Sequence, residues 1–255
     1  MAASRHSPGV LTTDLTGRTA LVTGSARGLG RGVALALAAD GASVAVHYRE
    51  SERDAREAAD AAAAAGAPET AVVRADVTDE ADVDGAFDAV EDALGTVDVL
   101  VNNVGAFAPT HWADQSVDDW RRVYETNLVA TMLCSRRALG GMREREWGRI
   151  VNVGYASAER GLVAPKNFPY FAAKAGVLMF TRMLAAETQH DGVTVNAVSP
   201  YVVETSDAFP AEAPRGRWAT VDDVAQVVRF FCDDDSDYVS GENVEVDGGW
   251  LPEDV

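Results

Sequence analysis

Apolar and β-branched residues recur along this chain in short runs, separated by longer stretches with a helical period. Thr19-Ala-Leu-Val-Thr reads as a buried strand, and Val33-Ala-Leu-Ala-Leu-Ala-Ala belongs to an apolar helix that starts at Gly30. A second strand covers Ala42–His47. Further strands are predicted near Thr70–Arg74, Val97–Val101, Arg149–Val153, Val193–Val198 and Asn243–Val246. Helices fill the gaps, near Glu52–Ala65, Ala81–Leu94, Val117–Leu139, Tyr170–Gln189 and Val221–Cys232. This alternation predicts an α/β fold: one doubly wound parallel sheet with helices on both faces, binding ligands beyond the carboxyl ends of its strands. Residues 14–255 are expected to form a single domain, and residues 1–13, which show no period, a flexible tail.

The first strand runs into Gly24-Ser-Ala-Arg-Gly28-Leu-Gly30 and then into the helix. Strand, glycine turn and helix together are the context that phosphate binding requires. Gly24 permits the tight turn, Gly28 lets backbone approach a pyrophosphate, and Gly30 brings helix and strand close. The helix N-terminus offers free N–H groups to the anion. In NAD-binding units of this type an acidic residue ends the second strand and grips the ribose. Here that end reads His47-Tyr48-Arg49, with no carboxylate before Glu50. Arg27 and Arg49 beside the ribose suggest a 2′-phosphate, hence NADP(H) rather than NAD(H).

Tyr170 and Lys174 stand four residues apart in a helical stretch, so they share a face. A cation beside the phenol is expected to lower its pKa into a useful range for proton transfer. Only Lys166 shares this residue type with Lys174; every other basic side chain of the Lys/Arg class is arginine.

These motifs, in this order, resemble the short-chain dehydrogenase/reductase family over about Leu15 to Trp250, and within it the 3-oxoacyl-thioester reductase-like branch. The resemblance implies a Rossmann-like domain and an enzyme that moves a hydride between a nicotinamide and a carbonyl or secondary alcohol. It implies that Gly24, Ser25, Arg27, Gly28, Leu29 and Gly30 form the cofactor loop, with Tyr48 and Arg49 at the ribose and Asp76-Val77 at the adenine. Asn103 and Gly105, in Asn102-Asn-Val-Gly105, match the segment beside the cofactor. Pro200, Val203 and Thr205 match the segment that closes over the nicotinamide. Asn127, Tyr170 and Lys174 are the implied proton relay, with Tyr170 and Lys174 also meeting the cofactor. A homotetramer packed through Val117–Leu139, Tyr170–Gln189 and the last strand is implied as well.

Two positions depart from the family pattern. The serine expected after the fifth strand falls on Tyr155 when counted from the strand. Counted back 13 residues from Tyr170, it falls on Ser157. Either hydroxyl could steady a substrate oxygen. Tyr201 replaces the glycine after Pro200 and puts an aromatic ring at the mouth of the site. These losses leave open a second reading: a catalytically impaired nucleotide-binding homologue that acts as a sensor or assembly partner. The segments that set specificity, Ala106–Trp112, Ala156–Phe168 and Ser206–Arg215, are the ones that depart from pattern, so the substrate stays unassigned.

Composition narrows the rest. Forty acidic residues against 22 Lys and Arg give a net charge of −18, which argues against nucleic acid as a partner. With so little lysine, this balance reads as adaptation to high intracellular salt, the alternative being simply an acidic protein. No apolar run reaches membrane-spanning length, the two cysteines suit buried free thiols, and the histidines show no metal-ligand spacing. A cytoplasmic protein without metal, acting on a small molecule, is expected.

Overall fold

A computed structural model describes residues 13–158 and 166–250. The expected tail, and the centre of the Ala156–Phe168 segment, lie outside the described residues. Seven parallel strands form one sheet in the order β3-β2-β1-β4-β5-β6-β7: β1 Thr19–Val22, β2 Ser43–Tyr48, β3 Thr70–Arg74, β4 Val99–Asn102, β5 Gly148–Val153, β6 Val193–Pro200 and β7 Asn243–Val246. The helices are α1 Gly28–Ala39, α2 Glu52–Ala65, α3 Glu80–Leu94, α4 Val117–Tyr124, α5 Ala130–Glu144, α6 Phe168–Glu187 and α7 Val221–Cys232. The predicted doubly wound α/β sheet is what the chain forms. Among the described residues, no helix is long and apolar enough to cross a membrane.

The two faces of the sheet follow from the two-residue period of its strands. Ala20 and Val22 of β1 join Val33, Leu37, Ala58, Val224 and Phe231 in a core under α1, α2 and α7. Leu21, between them, joins Phe87, Val90, Leu133, Met142 and Ile150 under α3, α5 and α6. Both faces are covered, so the strands are mostly apolar, and buried polar side chains among them, such as Asn102, Asn152 and Asn196, are hydrogen-bonded.

Three helix boundaries differ from expectation. α1 begins at Gly28, two residues earlier than Gly30. α6 begins at Phe168, where Pro169 sits in the first turn, a position that needs no N–H partner. The single helix expected over Val117–Leu139 is α4, a π turn at Glu125–Val129, and α5 running on to Glu144. The π turn cannot be seen in an apolar period, because it changes backbone pairing without breaking the helix. Capping boxes at Ser116 and Thr220 fix the starts of α4 and α7.

Candidate active site

The loop between β1 and α1 is held from below and from the side. Gly24 lies at φ +67 and Gly28 at φ +59, conformations that favour glycine. A Cβ on Gly30 would stand 2.5 Å from both the Gly24 carbonyl oxygen and Asn103 Nδ2. Asn103 Nδ2 donates to the Thr23 carbonyl at 2.9 Å, and Thr23 Oγ1 accepts the backbone N–H groups of Asn103 and Val104 at 2.9 and 3.1 Å. Thr23 therefore welds the loop to the segment after β4, a role its sequence position alone did not reveal. Ser25, expected at the cofactor, is fully buried: its hydroxyl donates to the Val22 carbonyl and accepts the His47 N–H. Its side chain is committed to holding the loop. The α1 N-terminus has no side-chain cap and no acidic residue in its first turn. An anion is thus met by N–H groups and a positive dipole end, with no competing carboxylate. Leu29 is half-buried behind this turn.

At the ribose end the two expected cations part company. Arg27 is exposed and has no ion-pair partner among the described residues. Arg49 pairs with Glu50 at 3.1 Å and with Asp76 at 3.7 Å. The sheet also brings Asp76, just after β3, beside Arg49. Asp76 also accepts from Thr78 N and Oγ1, and these bonds with Arg49 hold its carboxyl below the usual range although burial works against them. Val77 is buried beside it and Tyr48 half-buried.

Tyr170, Lys174 and Asn127 converge beyond the carboxyl ends of β4 and β5, each less than a tenth exposed. Lys174 Nζ donates to the Val153 carbonyl at 2.6 Å and lies 5.7 Å from the centre of the Tyr170 ring. Asn127 sits in the π turn; its Nδ2 donates to the Ala106 and Val123 carbonyls, both at 2.9 Å. Its Oδ1 is buried without a hydrogen-bond partner. That oxygen stands 2.7 Å from where a Cβ on Gly105 would be, and Lys174 Nζ stands 3.7 Å from the same point. Gly105 is therefore the open floor that lets an acceptor and an ammonium face one space. Below it, Asn102 Nδ2 donates to Ser135 Oγ and Asn152 Oδ1, and Asn152 Nδ2 to Thr181 Oγ1, a satisfied buried network joining β4, β5, α5 and α6.

The expected lowering of the Tyr170 pKa is not what this arrangement gives. Burial, with a smaller contribution from Tyr155, pushes the phenol well above its ordinary value. Burial likewise brings the Lys174 ammonium down to about 8. Desolvation sets the direction, so Tyr170 stands as a neutral proton donor.

Tyr155 and Ser157 take different places. The Tyr155 ring lies edge-on to Tyr170, centroids 5.6 Å apart, and also contacts Phe171 and Tyr201. Ser157 is fully buried at φ +67, its N–H donating to Glu245 of β7 at 2.7 Å and its hydroxyl without a partner. The structure thus joins Tyr155, and not Ser157, to the aromatic cluster around Tyr170. Tyr201 stacks on Trp250 at 3.8 Å and 12°. Phe107, half-exposed, lies 4.3 Å from the Tyr170 ring; its segment, Ala106–Trp112, was expected to set specificity, but the residue itself was not singled out. After buried Pro200 and Val203, the Thr205 hydroxyl stands 3.9 Å from where a Cβ on Gly28 would be, so the last expected segment reaches the glycine loop.

A glycine cradle at an uncapped helix start, an orphaned amide oxygen and a buried Tyr–Lys pair fit a nicotinamide dinucleotide. Comparison with known proteins agrees. A family model described as enoyl-(acyl carrier protein) reductase matches residues 24–251. The 3-oxoacyl-[acyl-carrier-protein] reductase of Synechocystis is 37% identical over 250 residues, covering 94% of this chain and 99% of its own. A (2S)-[(R)-hydroxy(phenyl)methyl]succinyl-CoA dehydrogenase subunit of Thauera aromatica is 37% identical over 242 residues, covering 91% and 96%. Among solved structures, acetoin dehydrogenase from Salmonella typhimurium superposes with a TM-score of 0.85 at 27% identity, covering 93% of this chain and 98% of its own.

Proposed function

The chain belongs to the short-chain dehydrogenase/reductase family, in its 3-oxoacyl-thioester reductase-like branch, and from that membership we propose an NADP(H)-dependent reductase of a ketone, with a 3-oxoacyl thioester as the first substrate to test. It is an NAD(P)-dependent oxidoreductase, and a carbonyl–alcohol pair is common to the substrates in its relatives' names. When bound, the nicotinamide supplies the hydride to the carbonyl carbon. Tyr170, neutral through burial, donates its O–H proton to the carbonyl oxygen. Lys174, held by Val153 and with an ammonium pKa near 8, stands ready to return a proton towards the phenolate at neutral pH. Asn127 Oδ1, without a partner of its own, is the acceptor offered to that space from the π turn. The convergence of Tyr170, Lys174 and Asn127 over Gly105 carries this reading.

The preference for a 2′-phosphate rests on Arg27. Arg49 joins it by exchanging its pairs with Glu50 and Asp76 for the phosphate, and exposed ion pairs of this kind are worth about 0–1 kcal/mol each, so the exchange is cheap. Tyr155 is the proposed partner of the substrate oxygen in the serine's place. A homotetramer is proposed too, supported by Met179 and Met183, which α6 leaves 61% and 66% exposed one turn apart. The test is reduction of a short 3-oxoacyl thioester, followed as loss of nicotinamide absorbance with NADPH and NADH in parallel. Turnover with NADPH preferred is expected. Turnover with NADH preferred would sink the cofactor assignment, and inertness towards 3-oxoacyl thioesters with activity on simple ketones would sink the substrate.

A further inference from the structure

His47, next to last in β2, is 3% exposed and lies between the glycine loop and the end of β3. Its backbone brackets Ser25: the His47 N–H donates to Ser25 Oγ, and the Ser25 N–H donates to the His47 carbonyl, both at 3.0 Å. The ring does more. Nδ1 accepts the Gly24 N–H at 2.9 Å, and Nε2 lies 3.1 Å from the Ala75 carbonyl. An N–H pointing at Nδ1 requires a lone pair there, so the ring proton is on Nε2 and donates to Ala75. One neutral imidazole in one tautomer therefore ties the ends of β1, β2 and β3 together. Gly24 begins the turn for the pyrophosphate, and Ala75 precedes Asp76 on the adenine side. Gly24 has little room to shift, since even a Cβ there would stand 3.0 Å from Val104.

We propose that His47 is the positioning residue of the dinucleotide loop: as the Nε2–H tautomer it fixes Gly24 against Ala75, so that cofactor affinity, and not the chemical step, depends on its acceptor nitrogen. The proposal rests on the reading of the Gly24–Gly30 loop as a dinucleotide site and deepens it. Protonation would replace the acceptor at Nδ1 with a second donor facing the Gly24 N–H. The charged groups around the ring are the Asp76 carboxylate and, paired with it, Arg49; Asp82 accepts from the Asp76 N–H, and Ser25, Gly24 and Ala75 carry no charge. Burial holds the imidazole below its ordinary value, against the Ala75 bond and Asp76. The Gly24 bond is therefore kept above the ordinary histidine range and lost as pH falls through the depressed value.

The experiment is a fluorescence titration of NADPH and NADH on wild type, His47→Leu and His47→Asn, from about pH 8 down to about pH 5. Leucine keeps bulk without an acceptor; asparagine places an oxygen near the Nδ1 position and does not titrate. At neutral pH His47→Leu should weaken cofactor binding on the order of tenfold, the worth of one buried hydrogen bond. The loss should fall on the cofactor KM rather than on kcat. His47→Asn should restore most of the affinity and flatten its decline towards acid. Wild-type affinity in a folded His47→Leu protein would overturn the proposal, as would an acid decline in His47→Asn equal to that of wild type. That second arm decides the matter even if the leucine variant does not fold. Wild type that binds neither cofactor would overturn the dinucleotide reading itself, a failure distinct from an indifferent His47.

Discussion

At the scale of single residues, the buried Tyr170–Lys174 pair sets both activity and stability. Tyr170→Phe should lower turnover by about 10²–10⁴-fold, the usual share of a general acid, while leaving cofactor titrations and the unfolding midpoint near wild type. Lys174 is a base whose folded pKa is brought down from 10.5 to about 8. A depressed ammonium penalises the folded state below that value, and the penalty fades as pH rises from about 8 to about 10.5. At neutral pH it is on the order of 3 kcal/mol. Lys174→Met should therefore be inactive yet resist urea better than wild type at pH near 7, with the difference gone at pH near 11; equal midpoints at both would count against a charged, desolvated Lys174. Catalysis carries the opposite sign: kcat/KM for reduction should fall as pH rises through about 8 and Lys174 loses its proton. The pair was legible in the sequence because helical spacing alone fixes a shared face. Its pKa was not, since burial is a property of the packed neighbours. The ion pair of Arg49 with Asp76 was invisible for a related reason: Asp76 lies 27 positions away in the chain, after β3. At Ser157 the backbone is left-handed, at φ +67, a feature that counting along the chain does not register.

At the scale of elements, local patterning foretold every strand and most helix cores, because β-branched runs and apolar periods are local signals. The π turn at Glu125–Val129 and the exact helix starts depend on tertiary contacts and were not visible. The π turn frees one backbone register where Asn127 must both anchor Ala106 and present Oδ1, which is where such turns tend to occur. Gly30→Ala tests how tightly the first βα unit is packed. Its Cβ would press 2.5 Å from backbone at Gly24, and overpacking of this kind costs about 1–3 kcal/mol. A lower melting temperature and weaker NADPH binding are expected together; loss of neither would show that the loop yields freely. Thr220→Ala removes the capping box of α7 and should cost about 1 kcal/mol by chemical denaturation, with cofactor affinity preserved.

At the scale of the molecule, the net charge of −18 acts against compactness despite many surface pairs, such as Arg137 with Asp88 and Glu91 and Arg143 with Glu187 and Asp191. Exposed pairs contribute about 0–1 kcal/mol each, and salt screens the repulsion among the excess carboxylates. The unfolding temperature should rise from dilute buffer to molar potassium chloride; a fall would mean that the pairs outweigh the excess charge. The order of the strands bears on how the chain is made. β1, β2 and β3 lie side by side as they leave the ribosome, and β4 then returns to the open edge of β1, Leu21 opposite Leu100. Every later strand adds next to the one just synthesised, ending with β7. Apart from that one return, the sheet grows outward in the direction of translation, so a nascent chain always offers the next strand a finished edge, and few strands wait unpaired for a partner not yet made.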